Sequence, residues 1–109
     1  MTTIKIKKQN NSIIQVECSG HSGYAEEGSD IVCAAISTLV QTAAEGLIKE
    51  AKVQIDKKQD DNKGYFKITL QKNLDEQKRH DCDLILNTML RGIEDLQEGF
   101  SKYVKLEVN

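Results

Sequence analysis

Two hydrophobic periods take turns along this chain, and their order limits the fold more than any other feature. Ile4 and Ile6 alternate with Thr3, Lys5 and Lys7; after Gln9-Asn10-Asn11, which is turn chemistry, Ile14, Val16 and Cys18 alternate with Ser12, Gln15 and Glu17. A period of two puts one set of side chains on one face of a strand, so this stretch is expected to form a β-hairpin with one buried face. From Asp30 the period lengthens. Ile36, Val40, Ala43, Leu47 and Ala51, supported by Leu39, Ala44 and Ile48, fall on one side of an amphipathic helix. Asp30 or Ser29 can cap its start, and Lys49 and Lys52 suit its end.

Val53 and Ile55 open a short strand, Asp56 to Gly64 (DKKQDDNKG) reads as a polar turn, and Phe66, Ile68 and Leu70 alternate with Tyr65, Lys67 and Thr69. This is a second hairpin. From about Leu74 to Lys102 the residues Cys82, Ile85, Leu86, Met89, Ile93, Leu96 and Phe100 recur every three or four positions, which describes one long helix. Val104, Leu106 and Val108 make a last strand. The order ββαββαβ implies an α+β two-layer sandwich, a mainly antiparallel sheet with two helices over its apolar face. The pattern does not fix the strand pairing, and the helix-free face is a possible dimer surface.

At 109 residues the chain is long enough for one modest core and too short for two, so residues 1–109 are expected to be a single domain. The net charge of -2 comes from 15 basic and 17 acidic side chains spread along the sequence. No strong field draws it to phosphate, and direct nucleic acid binding is not expected. No apolar run reads as a membrane span, and the start MTTIKIKKQ lacks a signal-peptide core, so a cytoplasmic location is expected. Three cysteines without regular spacing fit a reducing compartment with free thiols.

The stretch GHSGYAEEGSDIVCAAIS, Gly20 to Ser37, carries the chemistry. Cys33 falls three residues after the candidate cap Asp30, in the first helical turn, where unpaired amides and the helix dipole favour an anion such as a thiolate. That contribution is roughly 0.3 to 2 kcal/mol, too little by itself to make a fully active nucleophile. An imidazolium is the usual second contribution, since thiolate and imidazolium stabilise each other. His21, one of two histidines, ends the second strand, and a loop containing Gly23 and Gly28 separates it from Cys33.

Each residue also has a plainer reading. Cys33 would pack in line with Ile36 and Val40, and His21 would be a loop histidine bonded to backbone. Asp30 is either the helix cap or a carboxylate orienting His21, and both hold if its oxygens divide the tasks. Ser37, one turn after Cys33, would support His21, bind substrate or bond back to the carbonyl of Cys33. Tyr24 is either a lid contact or an anchor for the loop, and Glu26 and Glu27 read as solvated charges. A zinc site from Cys18, His21, His80 and Cys82 fails on geometry, since Cys18 points inward and His80 and Cys82 diverge on a helix. The glycines fit neither phosphate-binding pattern. No metal or cofactor is expected, and a non-catalytic, ribosome-associated binding module for protein or RNA stands as the alternative to an enzyme.

The motif G-H-x-G-Y-A-x-x-G-x-D-I-V-C resembles the signature of the ribosomal-processing cysteine protease family Prp, and the similarity extends over nearly the whole chain. The resemblance implies a bacterial cytoplasmic endopeptidase, typically a homodimer, that removes a short N-terminal extension from ribosomal large-subunit protein twenty-seven. By motif position it implies His21 as catalytic histidine and Cys33 as nucleophile, with Asp30 and Ser37 in support. Gly20, Gly23, Tyr24 and Gly28 then belong to a loop that admits an extended peptide, and helix-start amides are candidates to hold the oxyanion.

Overall fold

The computed structural model describes residues 1–26 and 28–109. The elements follow the expected order: β1 (Thr2–Gln9), β2 (Ser12–Ser19), α1 (Ile31–Lys49), β3 (Ile55–Asp60), β4 (Tyr65–Leu70), α2 (Glu76–Gly99) and β5 (Val104–Val108). The strands form one sheet in the order β3-β4-β2-β1-β5. Neighbours are antiparallel except β1 and β5, which run parallel.

This topology makes both helices crossover connections. β2 leads through α1 to β3 across β4, and β4 leads through α2 to β5 in the opposite direction across the sheet. Because β2 and β4 are antiparallel, right-handed crossovers travelling in opposite directions bring both helices to the same face. Ile4, Ile6, Val16, Phe66, Ile68 and Val104 from the sheet accordingly share one core with Val32, Ile36, Val40 and Leu47 of α1 and Cys82, Leu86 and Ile93 of α2. The helices approach closely where Gly92 faces Leu39, whose Cδ2 lies 2.9 Å from where a Cβ would stand. The opposite face carries charge in register, Lys67 beside Glu17 beside Lys5.

Three details depart from the sequence reading. The run Asp56–Asp60 is strand, and the turn is confined to the residues up to Gly64. β3 lies at the sheet edge with β4 as its one neighbour, so its charged side chains meet solvent and need no apolar alternation. A bulge opposite Lys7 and Lys8 turns Ile13 into the core at 1% exposure, while Ile14 is only half-buried. Finally, α1 has a mean hydropathy of 1.6, enough by length and composition to cross a membrane. Six of its 19 residues, Val32, Ile36, Val40, Ala43, Ala44 and Leu47, pack into the core shared by the sheet and α2, while Ile31 and Ile48 are exposed.

Candidate active site

α1 begins where Asp30 leaves the helical conformation and turns its side chain back over the first turn. Its Oδ1 accepts hydrogen bonds from the backbone N–H of Val32 and of Cys33, both at 3.0 Å. Its Oδ2 accepts one from the Ser22 hydroxyl. Asp30 is thus the cap, and its second oxygen serves Ser22, while the His21 ring contacts a different group. Burial works to raise the Asp30 carboxyl, but the hydrogen bonds from Ser22, Cys33 and Ala25 outweigh it and hold the group at about 2. The same cap engages the amides of Val32 and Cys33, two of the helix-start donors expected for an oxyanion.

Cys33 is partly exposed, and the buried position at the head of the stripe belongs to Val32. The backbone N–H of Ser22 points at Cys33 Sγ from 3.2 Å. The other thiols have different surroundings. Cys18 is 6% exposed and Cys82 wholly buried. Burial, with a smaller effect from the Glu17 charge, pushes Cys18 up to about 12, and burial also raises Cys82.

His21 follows β2 on a backbone that only a glycine accommodates. Gly20 has φ +88°, and a Cβ there would stand 2.6 Å from the Met1 carbonyl oxygen. The Met1 amino group donates to the His21 carbonyl at 2.8 Å, which ties this segment to the chain start. The exposed ring places Nε2 3.3 Å from the carbonyl oxygen of Asn62, in the β3–β4 turn. A carbonyl only accepts, so this contact is a hydrogen bond in the tautomer with the proton on Nε2, which in the neutral ring leaves Nδ1 as the acceptor. Gly64 of the same turn leaves room for the ring, because a Cβ there would lie 3.1 Å from His21 Cε1.

His21, Cys33 and Ser37 together line a cavity of about 230 Å³ that extends over Val40 toward Gln59 and Phe66. The same three residues line a second hollow of about 330 Å³ with Asp30 and Gly28. The imidazole, thiol and hydroxyl therefore border both depressions. Helical back-bonding of hydroxyls is seen at Thr38 and Thr88, and Ser37 is exposed at the cavity wall.

Tyr24 lies elsewhere: its ring meets Phe100 and Tyr103 edge-on, with centroids 5.6 and 5.3 Å apart. That is the anchor of the two readings. Gly23 and Gly28 adopt positive φ in the loop, Glu26 is exposed, and Glu27 lies outside the described residues. His80 is exposed beside Asp81, and no group of three or more His, Cys, Asp or Glu side chains fit for a metal occurs among the described residues.

Sequence reasoning missed Ser22, Asn62 and Gly64. Ser22 is adjacent to His21 but is an ordinary loop serine by type. Asn62 and Gly64 are some 40 residues away in sequence, and only the pairing of β4 with β2 brings their turn to the histidine.

The family model for cysteine protease Prp matches residues 1–105. The ribosomal processing cysteine protease Prp of Staphylococcus aureus (strain Mu50) is 31% identical over 108 residues, covering 97% of each chain. Its namesake in Bacillus subtilis (strain 168) is 24% identical over 103 residues, covering 94% of this chain and 92% of that one. The crystal structure of an essential ribosomal processing protease Prp from S. aureus, in complex with a covalently linked product peptide, aligns with a TM-score of 0.89 at 27% identity, covering 100% of both chains. Sequence and fold agree from end to end, and this chain belongs to the family of the ribosomal processing cysteine protease Prp.

Proposed function

We propose that this protein is the endopeptidase that removes the short N-terminal extension of ribosomal large-subunit protein twenty-seven, with Cys33 as nucleophile and His21 as general base and acid. One observation carries the residue assignment: Cys33 is partly exposed and lines both hollows with His21, whereas Cys18 reaches only the first of them at 6% exposure and Cys82 is wholly buried. That a relative holds a covalently linked product peptide supports nucleophilic catalysis through a covalent intermediate.

In this reading His21 Nδ1 takes the proton from Cys33 Sγ, and the Ser22 amide 3.2 Å away favours the resulting thiolate. The sulfur attacks the scissile carbonyl carbon and a C–S bond forms. The C–N bond then breaks as the imidazolium gives its proton to the departing amine. A water attacks the thioester, His21 takes its proton, and the C–S bond breaks to restore the thiol–imidazole pair. One peptide bond and one water have become a carboxylate and an ammonium group. Asp30 fixes the helix start, and Ser37 offers a hydroxyl at the cavity wall. The loop with Gly20, Gly23 and Gly28 borders the extended substrate, and Tyr24 anchors it to Phe100 and Tyr103.

A cytoplasmic homodimer belongs to the same reading. The three thiols are free, and exposed Leu84 and Ile48 offer a second copy apolar surface on the helix layer, a better seat than the helix-free face first expected, which carries Lys5, Glu17 and Lys67. The test is to incubate the protein with the full-length ribosomal substrate and measure the substrate's mass. Loss of the extension with wild type and none with Cys33→Ala is expected. A substrate that is bound but unchanged would point to the binding-module alternative.

A further inference from the structure

We infer that Ser22 is a positioning residue that holds the His21 segment against the nucleophile's helix, acting through its hydroxyl on Asp30 and Tyr24. Ser22 is 2% exposed, one of very few buried polar side chains among the described residues. A hydroxyl so buried must find partners, and this one finds two. It donates to Asp30 Oδ2 and accepts from the backbone N–H of Tyr24 at 3.2 Å. The Ser22 backbone N–H points at Cys33 Sγ.

These contacts join three parts of the site. Asp30 is fixed by its bonds to Val32 and Cys33, so the Ser22 hydroxyl is tied to the helix that carries the nucleophile. Tyr24 is anchored by Phe100 and Tyr103, so the other side of Ser22 is tied to α2 and the start of β5. Between those ties lie the amide aimed at sulfur and, one residue earlier, His21. Removing the hydroxyl leaves the Tyr24 N–H without its acceptor and Asp30 Oδ2 without this donor, so the segment loosens at the atom facing Sγ.

The inference rests on Cys33 as nucleophile, and its test is separable from that assignment. Ser22→Ala removes one oxygen and adds no volume. It is expected to lower kcat on an extension-bearing peptide about 10-fold with KM within about 2-fold, because orientation is lost and not binding. Alkylation of Cys33 by iodoacetamide, which needs no substrate, slows in parallel. Ser22→Thr, which keeps the hydroxyl, recovers most of both rates. In the wild-type protein the Tyr24 amide exchanges with solvent at least about 10-fold more slowly than in an unstructured peptide, a measurement that needs no variant to fold.

A folded Ser22→Ala with unchanged kcat and alkylation, or an unprotected Tyr24 amide, would overturn the inference. So would a fall in kcat with alkylation unmoved. Full activity of Cys33→Ala would instead overturn the nucleophile assignment itself.

Discussion

Replacing Gly64 by alanine tests whether the β3–β4 turn holds the histidine, and it does so without altering His21. The new Cβ would stand 2.9 Å from the Gly20 carbonyl oxygen and 3.1 Å from His21 Cε1, against an ordinary contact distance of at least 3.4 Å. The deficits are 3.4 − 2.9 = 0.5 Å and 3.4 − 3.1 = 0.3 Å. The tighter obstruction is backbone and cannot rotate away, so turn and histidine segment must part by about half an ångström. The bond from His21 Nε2 to Asn62, already 3.3 Å, lengthens beyond use. If a 1 Å misplacement costs about 100-fold in rate, half of it costs about 10-fold in kcat/KM. Alanine at φ +59° adds a backbone cost of about 1 kcal/mol. With the contacts, a loss of roughly 1 to 3 kcal/mol follows. That lowers the melting midpoint by roughly 4 to 8 °C per kcal/mol. Peptide cleavage well below the midpoint, alongside a melting curve, reads both effects. Gly99→Ala, where a Cβ meets nothing within 4 Å, is the control. A folded Gly64→Ala cleaving within about 2-fold of wild type would refute the cradle.

Thiol reactivity follows from burial: in the native protein iodoacetamide is expected to label Cys33 at least about 10-fold faster than Cys18 or Cys82. Equal rates, read by peptide mass mapping, would contradict the site. The Asp30 carboxyl, held at about 2, contributes stability that is complete above the ordinary carboxylate range and lost as pH falls through about 2. Asp30→Ala is therefore expected to cost about 0.5 to 2 kcal/mol at neutral pH. Its melting midpoint should also fall less steeply than wild type between about pH 4 and pH 2, and identical slopes would count against the cap's charge.

The fold was legible where burial is one-sided. Ile4, Ile6, Val16, Ile68 and the α1 stripe announce their faces because each must meet the same core. Asp30 was legible as a cap because three-residue spacing to Cys33 is local geometry. β3 was legible at Ile55 but not in its length to Asp60, because an edge strand satisfies its charged residues in water and leaves no period to read. The bulge that buries Ile13 is a matter of register between two strands, which neither strand shows by itself. In the site, His21 and Cys33 carry their chemistry in their side chains. Ser22, Asn62 and Gly64 act by where they are, and that is set by the pairing of β4 with β2 and by the burial of one hydroxyl. The second task of Asp30 was open for the same reason, since its partner proved to be Ser22.

The most direct test of the Cys33 and His21 pair is to quench the protein during turnover of an extension-bearing peptide and weigh it. The account predicts an added mass equal to the acyl part of the substrate, located on the peptide containing Cys33 and absent in Cys33→Ala. It also predicts that the adduct forms far more slowly in His21→Ala. Rapid cleavage with Cys33 unmodified, or an adduct formed equally fast without the imidazole, would contradict it.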